Sequence, residues 1–171
     1  MLIKRQLGFI ILFLCACFIT LVFYSPRIWG DQKIFLCIPE QKGSVTQEGF
    51  QDCIALVAYN QTFGNKNNVC KISFVKRFDP ASAYFAIQAI TNNTISEGTF
   101  HFYSNAGLPE TLLTVEFVNW RVKKVQGSAE TGEVAGVLSE TVQLLPAAGS
   151  RLMMTKLASG EAPVVEEFEC I

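Results

Sequence analysis

Apolar and polar side chains alternate along most of the chain from Lys33 onward, and one stretch of helical spacing interrupts them. "KIFLCIPE" (Lys33 to Glu40) reads as a short strand stopped by Pro39, followed by a loop of Gly, Ser, Thr and Gln. "CIALVAYNQTF", starting at Cys53, is a longer strand with mixed faces that ends at Gly64 and the polar "NKNN". In "CKISFVKRF", Ile72 and Phe74 fall on one side and Lys71, Ser73 and Val75 on the other. Asp79 and Pro80 then supply a capping carboxylate and a proline at the first helical position, so a helix is predicted from there to about Asn92. Tyr84, Phe85, Ile87 and Ile90, with Ala83, Ala86 and Ala89 between them, make this helix apolar nearly all round. Such a helix needs cover on more than one side, and Tyr84 and Phe85 are the candidate contact with a neighbouring subunit.

Strands resume with "GTFHFYSN", where Phe100 and Phe102 share a face and His101 points the other way. In "TLLTVEFVNWRVKKV", Leu113, Val115 and Phe117 hold one phase, whereas Val118, Trp120 and Val122 hold the opposite one. This flip predicts a bulge or sharp coil that carries the strand from one sheet to the next. "LSETVQLLP" and "SRLMMTKL" are predicted to form a hairpin about "AAGS". Residues 159–171 read as an acidic tail tied down by Cys170. Several strands around one helix predict a mainly β fold over residues 31–158, a compact two-sheet barrel or sandwich with a flanking helix.

The first thirty residues follow another rule. After Lys4 and Arg5 no charge occurs until Arg27, and residues 7–24 are nearly all apolar. Eighteen such residues reach the lower limit for crossing a bilayer and exceed the usual core of a cleaved signal. Residues 1–30 are therefore expected to be a signal anchor, ahead of a cleaved signal peptide, with a lipoprotein signal at "LCAC" third. The basic pair favours a cytoplasmic N-terminus, so the rest would face the periplasm from the inner membrane, or be periplasmic or secreted after cleavage.

Charge and cysteine content sharpen this picture. All fifteen acids lie from Asp31 onward, against eleven basic residues there, which disfavours a nucleic-acid surface. Cys37, Cys53, Cys70 and Cys170 remain outside the apolar segment, and in an exported domain they suggest two disulfides with three pairings available. If the strands carrying Cys53 and Cys70 pair symmetrically, those two face each other and leave Cys37 for Cys170; buried free thiols are the competing reading.

Little in the sequence points to catalysis. His101 has neither an orienting carboxylate nor a nucleophile in its local pattern, and the glycines form no phosphate-binding loop. The cysteine spacing suits no zinc site, so neither metal nor cofactor is expected. Asn60-Gln61-Thr62 and Asn92-Asn93-Thr94 match the glycosylation sequon in polar surroundings.

The order of segments, however, resembles a known family. "KIFLCIPEQKGS", "ISFVKRFDPASAYF", "GTFHFYSNAGLPETLLTVEF" and "LLTVEFVNWRVKKVQGS", with Asn119 and the Val122/Val125 spacing, are similar to successive segments of the Hcp proteins, the haemolysin-coregulated tube proteins of type VI secretion. "LSETVQLLPAAGSRLMM" follows their closing strands in outline, so the likeness extends over most of Lys33 to Leu157. The resemblance implies a barrel of two packed sheets with one helix on its flank, six copies in a ring, rings stacked in a tube, and no catalytic residues. It also implies partners: other subunits, and secretion-apparatus or envelope proteins. The apolar N-terminal segment, the short Asn-rich loop after Phe63 and the tail with Cys170 depart from that family's pattern. The alternative is a monomeric periplasmic binding module that reuses the barrel without forming a tube.

Overall fold

A computed structural model describes residues 32–64, 69–104, 110–129, 138–157 and 162–170. The apolar segment at residues 7–24, with the anchor or signal role expected for residues 1–30, lies outside the described residues. Among the described residues, no helix is long and apolar enough to cross a membrane.

Among the described residues, seven strands and one helix follow in the order β1 (Gln32–Cys37), β2 (Ile54–Gly64), β3 (Val69–Arg77), α1 (Ala81–Thr91), β4 (Thr94–Ser104), β5 (Glu110–Ala129), β6 (Leu138–Lys156) and β7 (Val164–Glu169). Neighbouring strands pair antiparallel in the order β3-β2-β1-β4-β5-β6-β7, and β3 pairs in addition with β6. That last pairing closes six strands on themselves. The two packed sheets expected from the sequence are thus a single sheet curled into a barrel, a closure that leaves those strands fewer open edges.

β6 makes this closure. Its first part, Ser139–Leu144, pairs with Arg77–Ile72 of β3, and its second part, Arg151–Lys156, pairs with Glu169–Val164 of β7. The expected hairpin about "AAGS" does not form. Both halves of β6 lie against the same long strand, β5, and residues 147–150 bulge where the register jumps from Trp120↔Pro146 to Val118↔Arg151. Asn119, opposite this bulge, has φ 58°, and Gly149 within it has φ 70°. Two left-handed residues facing each other bend the ribbon without interrupting it. The bend also turns the side chains over, so Val115 and Phe117 before it and Trp120 and Val122 after it are all buried. Within the predicted acidic tail, residues 164–169 form the seventh strand.

Aromatic side chains fill the barrel. Phe85 meets Phe74 (centroids 5.5 Å apart), Phe74 meets Phe100 (5.7 Å), Phe100 meets Phe117 (5.5 Å) and Phe117 meets Trp120 (6.2 Å). Trp120 donates its indole N–H to the carbonyl of Arg151 at 3.2 Å, so this large ring is polar-satisfied at the bulge. Gly98 sits beneath Phe117, where a Cβ would run into the ring. A second apolar cluster lies around Phe35, Phe50 and Cys53, against which Cys37, Val45 and Tyr103 pack. Phe50 stacks on Phe35 at 4.7 Å, and the loop that carries it is closed by mutual hydrogen bonds between Val45 and Asp52 to Cys53.

Candidate functional site

Lys76 continues the inward phase of Ile72 and Phe74 on β3, and Glu140 that of Val142 and Leu144 on β6. The register sets the two residues directly opposite each other at the seam of the barrel. Lys76 is fully buried, and its Nζ donates to Glu140 Oε1 at 2.8 Å, to the carbonyl of Arg77 at 2.9 Å and to Ser82 Oγ at 3.0 Å. Asp79 Oδ1 lies 2.6 Å from the same nitrogen. A buried ammonium is tolerable only when its protons are satisfied in this way.

Two carboxylates against one ammonium leave an excess negative charge beneath the start of α1. The positive end of the helix dipole offsets part of it. Pro80 already has helical dihedrals, and Asp79 Oδ1 accepts the Ala81 N–H at 2.9 Å while also holding Lys76. The turn from strand to helix is thereby fastened to the seam. Such an arrangement holds structure; it leaves no unsatisfied base beside a nucleophile.

Phe85 is not available to a neighbouring subunit. It is fully buried against Phe74, with the Lys76 ammonium 6.0 Å from its ring, because α1 lays this side over the barrel. Tyr84 is half-buried beside it, and burial, with a smaller contribution from the Glu40 carboxylate, raises its phenol pKa. The exposed apolar side of α1 is instead carried by Ile87 (56% exposed) and Ile90 (84%). A helix apolar all round does not reveal from sequence which side faces in.

The disulfides also differ from the expected pairing. Cys37 is joined to Cys53, and Cys70 to Cys170. The β2–β3 hairpin turns later than symmetry about Cys53 and Cys70 requires: Gly64 pairs with Val69, which puts Phe63 opposite Cys70. Cys53 precedes β2, where the pairing of Ile54 with Leu36 brings it beside Cys37 at the end of β1. Cys170, at the end of β7, then reaches the start of β3.

His101 faces Phe50 edge-on at 5.3 Å, and burial lowers its pKa. The folded state therefore resists protonation, so stability falls as pH drops below the unfolded value of about 6.5. We expect the melting temperature to decline from pH 7.5 to 5.5, and His101→Gln to flatten that decline; an unchanged slope would mean that His101 titrates alike in both states.

Beside the Cys37–Cys53 bond, a surface cleft of about 440 Å³ is lined in part by Lys42, Asp52, Glu97 and Glu116. Lys42 already pairs with Asp52 at 3.1 Å. Among the described residues, no group of His, Cys, Asp and Glu is arranged to hold a metal ion.

A closed antiparallel barrel with one helix fastened over it by an ion cluster, its interior packed with its own aromatic side chains, is the class of fold these residues define. Residues 35–145 match the sequence profile of the family described as "Type VI secretion system effector, Hcp". The chain belongs to that family, and is thus a protein related to the type VI secretion tube. Its fold is similar to that of Hcp1 from Salmonella typhimurium, with 19% identity and TM-score 0.71 over 81% of this chain and 94% of that one. A type VI secretion system effector from Yersinia pestis superposes with 14% identity and TM-score 0.67, over 80% and 98% of the two chains. Hcp3 from Pseudomonas aeruginosa does so with 14% identity and TM-score 0.60, over 81% and 97%. Identities this low establish the fold alone. No curated protein matches the sequence.

Proposed function

We propose that the chain is a non-enzymatic, ring-forming subunit of the Hcp type that works beyond the cytoplasm. The observation that carries this reading is the exposed apolar side of α1, Ile87 and Ile90, on a barrel of this family. Apolar side chains left in water on one face of a helix are suited to the cover that a second copy supplies. In this reading Tyr84 borders the contact and Phe85 supports it from within. The two disulfides support an oxidising compartment, as does the apolar N-terminal segment, whether it anchors the chain through residues 7–24 or is removed.

The same disulfides favour, as a second reading, a monomeric module in the cell envelope. The packed aromatic interior argues against a ligand held inside its barrel, so it would act on another protein. Light scattering on the purified protein, with negative-stain images, separates the two. A particle of six subunits is expected, reduced to monomers by Ile90→Glu; a monomer at tens of micromolar would favour the second reading.

A further inference from the structure

β7 is held to the rest of the protein differently from every other strand. It pairs on one side, with Arg151–Lys156 of β6, and its residues are exposed except for the half-buried Phe168. Beyond that ladder, Phe168 meets Phe63 at 5.0 Å, and Arg151 and Glu167 form an exposed ion pair at 3.7 Å. The buried anchor is its end: Cys170 is bonded to Cys70, and its carbonyl accepts the Ser150 hydroxyl at 2.8 Å. The Cys37–Cys53 bond stands in contrast, because its loop has the Phe35–Phe50 stack and its own hydrogen bonds to keep it in position.

The barrel does not need β7 to close, since β3 and β6 pair directly over Ile72–Arg77 and Ser139–Leu144. β7 begins to pair with β6 where β3 ceases to, on the far side of the residue 147–150 bulge. We infer that β7 is a redox-released strap: with Cys70–Cys170 intact it covers the second half of β6, and reduction frees it while the six-stranded barrel stays folded.

The chemistry requires a dithiol. Its thiolate attacks one sulfur of the bond, its second thiol resolves the mixed disulfide, and Cys70 and Cys170 end as two thiols while the dithiol becomes a disulfide. Both cysteines are buried, so attack occurs when the end of β7 frays. Release uncovers those N–H and C=O groups of Arg151–Lys156 that face away from β5, a strand edge open to pairing with another extended segment. Leu112, Leu113 and Met154 already line an apolar groove there with Val164 of β7. The inference rests on this topology and not on ring formation.

Hydrogen–deuterium exchange on the full-length protein, with and without dithiothreitol, tests it, with alkylation and mass measurement to establish which bond is cut. On reduction of Cys70–Cys170, amides of Val164–Glu169 and those of β6 that they cover should exchange at least tenfold faster. Amides of β1 to β5 and of the Ile72–Arg77 seam should keep their protection. The Cys70→Ser/Cys170→Ser variant should exchange in the same pattern without reductant, and Cys37→Ser/Cys53→Ser should still need it. Protection retained in β7 after complete reduction would overturn the inference. So would loss of protection across the whole barrel, or a Cys70→Ser/Cys170→Ser variant that does not fold, since the bond would then support the fold itself.

Discussion

Replacing Glu140 with alanine should lower the stability of the barrel by about 3 kcal/mol, because removing one partner of a buried ion pair strands the other charge. Asp79 stays beside Lys76 and keeps the cost near the lower end of the range for such changes. The loss falls on the seam itself, where Lys76 and Glu140 are cross-strand neighbours. A second comparison isolates the charge from the packing. In Lys76→Met/Glu140→Leu the cross-strand charge pair is gone while Asp79 still accepts the Ala81 N–H, and the double variant should lose less than the two single changes combined. Urea unfolding of the wild type, Glu140→Ala, Lys76→Met, Glu140→Leu and the double variant measures this. Strict additivity, or a Glu140→Ala cost below about 0.5 kcal/mol, would show that the cluster does not hold the seam.

Loss of the Cys70–Cys170 bond should come next in size, at roughly 2–4 kcal/mol. It spans 100 residues, whereas Cys37–Cys53 spans 16, and in the chain-entropy account the longer loop restricts the unfolded chain more. Cys70→Ser/Cys170→Ser should therefore unfold at a lower urea concentration than Cys37→Ser/Cys53→Ser. The reverse order would mean that local support of the Phe50 loop outweighs chain entropy.

Local chemistry was the part of the fold most legible in the sequence. Asp79-Pro80 marks the strand-to-helix turn with a carboxylate and a fixed φ, and both act within a few residues of themselves. The phase flip across Phe117 and Val118 announced the bend at Asn119, opposite the residue 147–150 bulge, because side-chain alternation reports the pleat directly. Lys76 was equally readable and was missed: it shares the phase of Ile72 and Phe74, and a charge in that phase calls for a buried partner such as Asp79, three residues on. What was not legible depended on distant parts of the chain. "AAGS" has the composition of a hairpin turn, yet β5 is long enough to pair with both sides of it, and strand length across the sheet decided the outcome. Cysteine pairing hung on where the β2–β3 hairpin turned. For α1, apolar residues on every side gave no preference between Phe85 and Ile90 as the buried one.

The two disulfides also determine how the protein carries load. A pull between its ends passes from β1 through the Cys37–Cys53 bond, along β2 to Cys70, and across to Cys170. Everything between Cys70 and Cys170, including α1, the aromatic stack and the Lys76 cluster, lies within a covalent bypass and cannot be drawn out along the chain by such a force. In the oxidised protein β2 is then the one long strand that such a force can draw out.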